Sequence, residues 1–201
     1  MIQELILASG NKAKIAEFQH LLDGMGIQVH SMKEYPQIGD IVEDGTTFAE
    51  NALKKARAVC NATGKPALAD DSGLMVDALD GAPGIYSARF AGEGHDDAAN
   101  NAKVLELMKD VPDENRGAQF FCAIAMVLPD GREYTVEGFC RGTLLRALQG
   151  EGGFGYDPLF YVAELDKTFA QLTMEEKNAI SHRGMANGKA VAIIRQLQQE
   201  V

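Results

Sequence analysis

The stretch from Ile2 to Leu22 reads IQELILASGNKAKIAEFQHLL and predicts a strand, a loop and a helix in succession. Ile2 to Ala8 is a short, mostly apolar run, which is typical of a buried strand. From Lys12 onward, apolar residues recur at helical spacing. These apolar positions are Ile15, Phe18 and Leu22. A strand that leads into a helix through a short polar loop is typical of an α/β fold.

The rest of the chain continues this alternation and then departs from it. A second strand is predicted near Ile27 to His30, a helix from a capping box at Thr47–Glu50 to Gly64, and a third strand over Pro66 to Ala69. The later predicted elements are a helix over Asp96 to Met108, an apolar run over Gln119 to Leu128, a turn at Pro129–Gly131 leading into Glu133 to Phe139, and a final helix from about Gly184. Early strand–helix alternation with a later hairpin predicts an α/β fold with a mixed sheet.

Composition narrows the class of protein. The 201 residues are enough for one substantial core, so we expect a single domain over residues 1–201. No segment approaches the roughly 20 apolar residues of a membrane helix, and the first residues lack the features of a signal peptide, so we expect a cytoplasmic protein. The net charge of −10 argues against general nucleic-acid binding but is compatible with a metal–nucleotide ligand. The three cysteines are widely spaced, which favours reduced thiols over a disulfide framework or a zinc site.

The first candidate site is the loop between the first strand and the first helix. Backbone N–H groups and the positive end of the helix dipole form an anion site at such a junction. The residues that would contribute are Ser9, Gly10, Asn11, Lys12, Ala13 and Lys14. No phosphate-binding G-x-x-x-x-G-K-[ST] loop occurs in the sequence. The alternative is an ordinary capped helix.

The second candidate site is acidic. Asp70 and Asp71 follow the third predicted strand and precede Ser72 and Gly73. Two adjacent carboxylates at the mouth of a strand suggest cation binding or proton transfer, whereas Asp, Ser and Gly together are also typical of a surface turn. A second acidic loop around Glu43 is expected at the same end of the sheet. In this interpretation a carboxylate from each loop holds Mg²⁺ and one Asp activates water; otherwise Glu43 is a solvated loop charge.

Two further segments suit a purine base. In Gly152 to Pro158 an aromatic ring lies between glycines, and it could stack on a base or fill the core at a tight turn. The candidates there are Phe154, Gly155, Tyr156 and Asp157. Lys177, His182 and Arg183 form a predicted donor-rich turn between two helices, suited to a ligand edge with carbonyl oxygens. Helix capping by His182 and Arg183 is the alternative.

In this order and spacing, the motifs resemble those of the inosine/xanthosine triphosphate pyrophosphatase family. The matching motifs are Ala8–Asn11 with Lys14, Thr47–Ala52, Ala69–Leu74, Gly81–Arg89, Gly152–Phe160 and Ser181–Gly184. Each is weak alone, but six in register are highly specific. The resemblance implies an elongated α/β fold of two lobes around a twisted mixed sheet, a nucleotide in the cleft between the lobes, and a homodimer.

The resemblance also implies roles for these residues. It implies that the loop Ser9 to Lys14 binds triphosphate, that Asp71 accepts a proton, that Glu43 and Asp71 hold Mg²⁺, and that Ser72 lies near the phosphates. Base recognition would fall to Phe154, Asp157, Lys177, His182 and Arg183. The implied reaction converts ITP, dITP or XTP to the monophosphate and pyrophosphate, which cleanses the nucleotide pool of deaminated purines.

Two other functions remain open at this stage. An aspartyl-phosphate phosphatase also places an Asp after a strand, although it usually needs D-x-D rather than the adjacent pair present here. A non-catalytic nucleotide sensor would retain the pocket without turnover. The sequence does not rank ITP, dITP and XTP as substrates, and it does not identify the group that excludes GTP.

Overall fold

The computed structural model describes residues 1–200. Contacts group the chain into two compact units. The first contains Met1–Asp71, Ala123–Glu137 and the C-terminal segment from Ala186, and the second contains Ser72–Cys122 and Gly138–Met185. The predicted single domain over residues 1–201 stays a prediction. Within residues 1–200, no helix combines the length and the apolar character that crossing a membrane requires.

Seven strands form one mixed sheet. They are β1 (Glu4–Leu7), β2 (Gln28–Ser31), β3 (Ala67–Val76), β4 (Gly117–Val127), β5 (Glu133–Leu144), β6 (Phe160–Val162) and β7 (Lys167–Thr168), and their order in the sheet is β2-β1-β3-β4-β5-β6-β7. β1 pairs in parallel with β2 and β3, whereas β6 is antiparallel to both β5 and β7. The helices are α1 (Lys12–Leu21), α2 (Phe48–Thr63), α3 (Asp97–Leu107), α4 (Met174–Ile180) and α5 (His182–Gln199). The predicted α/β class with a mixed sheet is confirmed.

β1 and α2 form where the sequence predicts a buried strand and a capped helix. Leu5, Ile6 and Leu7 of β1 are buried, as expected for a strand covered on both faces. The Thr47 hydroxyl accepts from the Glu50 N–H and caps α2, which ends at Gly64 with φ of 66°. The predicted capping box is half correct, because the Glu50 carboxylate accepts from the N–H and hydroxyl of Thr46 instead of closing the box.

β3 is longer than predicted, and this corrects the position of the acidic pair. The sequence predicted a strand over Pro66 to Ala69 that ends at the acidic pair, with a surface Asp-Ser-Gly turn as the alternative to a functional site. In the structure the strand runs ten residues to Val76, so Asp70 and Asp71 lie in its middle. Leu74 and Val76 are fully buried at alternate positions, and the Leu74 N–H donates to the Ser87 hydroxyl at 2.9 Å. Burial of Leu74 and Val76, which follow the acidic pair in the sequence, therefore keeps the backbone extended through Asp70 and Asp71.

α4 and α5 meet at a single residue, which corrects a second expectation. The final helix begins at His182 rather than near Gly184, and Lys177 lies within α4 rather than in a turn. Ser181 ends α4, and its hydroxyl accepts from the Gly184 N–H at 3.0 Å, so the next helix starts at once. Gly184 is required there, because a Cβ at this position would lie 1.9 Å from the Asn178 carbonyl oxygen.

Candidate active site

Asn11 in the loop after β1 caps the N-terminus of α1, as in the ordinary capped helix considered as the alternative. The Ser9 hydroxyl accepts from the Asn11 N–H at 3.1 Å. The Asn11 side-chain oxygen accepts from the N–H groups of Ala13 at 2.9 Å and Lys14 at 3.4 Å. A phosphate at this helix end would therefore take over donors that Asn11 holds, and phosphate binding by the loop stays a prediction. Lys12 is exposed.

Lys14 reaches across to the acidic pair. Its Nζ lies 2.9 Å from Oδ1 and 2.7 Å from Oδ2 of Asp70. Both side chains are largely buried. A lysine one turn into α1 and a carboxylate on β3 thus form a bidentate ion pair beside the candidate phosphate loop.

Asp71 is the centre of a second cluster in the same unit. Its Oδ2 accepts from Asn51 Nδ2 at 3.2 Å, and its Oδ1 lies 3.9 Å from Lys55 Nζ. The same Lys55 ammonium donates to Glu43 Oε2 at 3.2 Å. Glu43 and Asp71 therefore converge on one cationic group, as two residues sharing a cation should. The Glu43 side chain is 36% exposed, and its role as a metal ligand stays a prediction.

Burial governs the charge state of Asp71. It raises the pKa of Asp71 from the ordinary 3.8 to about 6, and the carboxylates of Glu43 and Asp70 act in the same direction. The Lys55 ammonium and the hydrogen bond from Asn51 act to lower that pKa. A carboxyl with a pKa near neutrality is suited to accept a proton during a reaction.

The donor set fits Mg²⁺. Magnesium in nucleotide sites is commonly held by one or two carboxylates together with substrate phosphates. Glu43 and Asp71 are two such carboxylates facing one cationic position. Among residues 1–200, no group of three or more His, Cys, Asp and Glu side chains is arranged to hold a metal ion. Binding of Mg²⁺ by these two carboxylates stays a prediction.

The second unit holds the aromatic candidate. The Phe154 ring is 60% exposed, so it is not a core residue. Lys177 Nζ lies 4.7 Å from the ring centroid, and the guanidinium carbon of Arg183 lies 5.6 Å from it. The guanidinium also donates to the Ser72 hydroxyl at 3.3 Å. An accessible ring flanked by two cations can stack on a flat ligand and donate to its edge.

Asp157 holds Phe154 and Lys177 together through hydrogen bonds. It is buried, and its Oδ2 accepts from the Phe154 N–H at 2.9 Å and from Lys177 Nζ at 2.5 Å. α3 holds the neighbouring peptide: Asp97 Oδ2 accepts from the Gly155 N–H at 2.7 Å, and Asn101 Nδ2 donates to the Gly155 carbonyl at 2.8 Å. Side chains of α3 therefore hold both the N–H and the carbonyl of Gly155 and fix the loop that carries the Phe154 ring.

Tyr156 and His182 lie deeper than Phe154. Tyr156 is buried and donates its hydroxyl to the Ser87 carbonyl at 2.7 Å, which is the core role considered as its alternative. The His182 ring is buried and stacks on Phe120 with centroids 4.8 Å apart. Contact of either side chain with a ligand stays a prediction.

Four polar residues of these clusters were not predicted. Asn51 and Lys55 lie one turn apart on α2 and both contact Asp71. Their i, i+4 spacing could have identified them as one polar face directed at a buried group. Asp97 and Asn101 show the same spacing on α3 around Gly155, but nothing in their own sequence points to a partner more than 50 residues away.

Comparison with known proteins relates the whole chain to one group. Residues 5–193 match the Ham1 family. A protein of Desulforamulus reducens called dITP/XTP pyrophosphatase is 58% identical over 98% of this chain and 100% of its own length. A protein of Geobacter sulfurreducens with the same name is 53% identical over 90% of this chain and 92% of its own length. The solved HAM1 protein of Coxiella burnetii has a TM-score of 0.92 at 43% identity, covering 98% of this chain and 100% of that one.

Proposed function

The chain belongs to the Ham1 family, and from this premise we propose that it hydrolyses non-standard purine nucleoside triphosphates to the monophosphate and pyrophosphate. The proposed substrates are ITP, dITP and XTP, and the reaction would remove deaminated purines from the nucleotide pool. The observation that carries the proposal is the largely buried Asp71 carboxyl, which shares the Lys55 ammonium with Glu43. Relatives of nearly the same length are called dITP/XTP pyrophosphatases, which supports the same reaction.

Asp71 is the proton acceptor in the proposed mechanism. Its carboxylate takes a proton from the water that attacks the α-phosphorus, the bond from that phosphorus to the bridging oxygen breaks, and pyrophosphate leaves. Lys14 pairs with Asp70 and Lys55 lies 3.9 Å from Asp71, and both ammonium groups can bind phosphate oxygens once a nucleotide enters. Neutralising the phosphates lowers the repulsion between the substrate and the carboxylates.

Glu43 and Asp71 are the residues that would hold Mg²⁺. The ion would supply charge neutralisation at the phosphates and orient them for in-line attack. Lys55 lies within 4 Å of both carboxylates and can contact the triphosphate from there. Dependence on Mg²⁺ is checked by removing divalent ions with EDTA and restoring Mg²⁺.

Base selectivity is assigned to the second unit. The exposed Phe154 ring stacks on the purine, and the Lys177 and Arg183 donors face the 6-oxo group of hypoxanthine or xanthine. Adenine carries an amino donor at that position, so the site's donors would meet a donor and lose their hydrogen bonds. Polar mismatch of this kind discriminates strongly, and ATP should be a poor substrate.

A homodimer and a cytoplasmic location are further parts of the proposal. The dimer rests on the family resemblance, and the location rests on the sequence expectation. Light scattering on the purified protein checks the dimer: a mass near 43 kDa, twice the 21.7 kDa of one chain, is expected.

The first experiment is a product analysis. Purified protein and Mg²⁺ are incubated with ITP, XTP, dITP, ATP or GTP, and pyrophosphate and orthophosphate are assayed separately. Pyrophosphate from ITP, dITP and XTP, with little product from ATP or GTP, supports both the bond and the base selectivity. Orthophosphate would identify a phosphatase, and nucleotide binding without product would identify a sensor.

A further inference from the structure

Asn51 is a buried amide whose two polar ends contact different parts of the acidic cluster. Only 1% of the residue is exposed. Its Oδ1 accepts from the Gly45 N–H at 2.8 Å, and its Nδ2 donates to Asp71 Oδ2 at 3.2 Å. A backbone N–H can only donate and a carboxylate can only accept, so the amide is satisfied in one orientation alone.

The segment after Glu43 is fitted closely against the start of α2. A Cβ at Gly45 would lie 2.6 Å from Asn51 Oδ1 and 2.9 Å from the Glu50 Cβ, so the backbone can approach only as glycine. The next residue, Thr46, donates its N–H to Glu50 Oε2 at 2.6 Å and its hydroxyl to the same oxygen at 2.8 Å. Two consecutive loop residues are thus held by two consecutive helix residues.

We propose that Asn51 is a positioning residue for the hydrolysis: its amide fixes the rotation of the Asp71 carboxylate and holds the Glu43 loop beside it. The proposal rests on the proposed function, in which Asp71 and Glu43 act on the substrate. Asn51 carries no charge and exchanges no proton; it acts through Asp71 and Glu43. With Oδ2 engaged by Asn51, the other oxygen of Asp71 is directed to the Lys55 side, where Glu43 also points.

Two variants separate the two hydrogen bonds. Asn51→Ala removes both. Asn51→Asp keeps the shape and the acceptor for the Gly45 N–H, but replaces the donor to Asp71 with a carboxylate that repels it. Asn187→Ala is the matched control, because Asn187 is a buried amide in the same unit that donates to a carboxylate, Glu17 Oε1, at 3.1 Å.

The measurements are kcat and KM for ITP at saturating Mg²⁺, together with the thermal unfolding temperature in EDTA. We expect kcat to fall about tenfold to a hundredfold in both Asn51 variants, since misplacing a reacting group by about 1 Å has effects of that size. KM should change less than about threefold, because the base site lies on other residues. The unfolding temperature should fall by a similar amount in Asn187→Ala and Asn51→Ala. The kcat of Asn187→Ala should equal that of the parent protein.

The outcomes that overturn the proposal are distinct. A folded Asn51 variant whose kcat stays within about threefold of the parent contradicts it, and so does a kcat loss of equal size in Asn187→Ala. If Asn51→Ala does not fold, Asn51→Asp decides; failure of both to fold assigns Asn51 to stability alone and overturns the positioning role.

The Asp71→Asn variant separates this inference from the proposed function. Full activity in Asp71→Asn would remove Asp71 from the mechanism, and the proposed function would fail at that step. An inactive Asp71→Asn with active Asn51 variants overturns the inference alone. Asn51→Asp keeps the acceptor for the Gly45 N–H and changes only the contact with Asp71. If that contact acts through Asp71, adding Asn51→Asp to Asp71→Asn lowers the residual kcat no further.

Discussion

Asp71 is held in surroundings that favour its protonated form, and this has a measurable effect on stability. Its pKa of about 6 in the folded protein lies above the ordinary 3.8, so folding favours proton binding. The stabilisation from this group is complete below pH 3.8 and is lost as the pH rises through 6. The stability lost between pH 3.8 and neutral pH has an upper limit of roughly 3 kcal/mol.

Asp71→Asn should therefore stabilise the metal-free protein at pH 8 and not at pH 4. Asparagine keeps the size of the side chain and removes the buried charge. Urea unfolding in EDTA measures this, with an expected gain on the order of 1–3 kcal/mol at pH 8 that disappears as the pH falls to 4. Equal stability of parent and variant at both pH values would contradict the assigned effect of burial.

Phe154 tests the base site separately from the acidic cluster. Because the ring is exposed, Phe154→Ala should leave the unfolding temperature almost unchanged. Its KM for ITP should rise about tenfold or more, since stacking on one base is worth roughly 1–3 kcal/mol. Phe139→Ala is the control, because Phe139 is a 51% exposed phenylalanine of the same unit outside the site. A KM that changes equally in both variants would argue against stacking by Phe154.

Residue types with distinctive chemistry were predictable from the sequence, and their supporting partners were not. Adjacent aspartates and a phenylalanine between glycines are unusual enough to be recognised from the sequence alone. Asn51 and Asp97 are ordinary polar helix residues, and they acquire a role only when folding brings Asp71 or Gly155 against them. Which carboxylate Lys14 would pair with was likewise not predictable, because it depends on the register of β1 against β3.

At the scale of elements, the close junction of α4 and α5 predicts that Gly184→Ala destabilises the protein. The Cβ introduced by Gly184→Ala would lie 1.9 Å from the Asn178 carbonyl oxygen, and a backbone atom cannot move aside without separating the helices. Overpacking of this kind typically costs about 1–3 kcal/mol. We expect a lower unfolding temperature and weaker ITP binding, since Lys177 and Arg183 lie on either side of the junction.

Gly188→Ala on the same helix is the matched control for Gly184→Ala. Nothing lies within 4 Å of a Cβ at Gly188, which is exposed. Alanine in an open helical position is favoured over glycine by roughly 0.5–1 kcal/mol. Differential scanning calorimetry should therefore show opposite shifts for the two variants. A Gly184→Ala protein as stable as the parent would mean that the two helices can separate at no cost.

The two elements that sequence analysis misjudged both depend on tertiary contacts. Asp-Asp-Ser-Gly has the composition of a turn, yet burial of Leu74 and Val76 continues β3 through it. A single serine ends α4 and caps α5, so no loop separates the helices. Elements with a strong internal pattern were predicted well: α2 begins after Thr47 and ends at Gly64, as expected.

At the scale of the whole molecule, elements shared between the two units bear on cooperativity. β3, β4, β5 and α5 each contribute residues to both units. A unit that unfolded alone would have to break each of these elements. We therefore expect the units to unfold in one transition, in keeping with the single domain predicted from the sequence.

The buried cysteines allow the unfolding of each unit to be measured by thiol labelling in urea. Cys60 of the first unit and Cys140 of the second are free and buried, and burial raises the pKa of both thiols, that of Cys140 to about 11. Because the thiolate is the reactive form, labelling with a thiol reagent at pH 8 should be slow until the protein opens. Single-cysteine variants retaining Cys60 or Cys140 should become reactive at the same urea concentration. Reactivity of one thiol at a clearly lower urea concentration would show that its unit opens independently and would overturn the single-domain prediction.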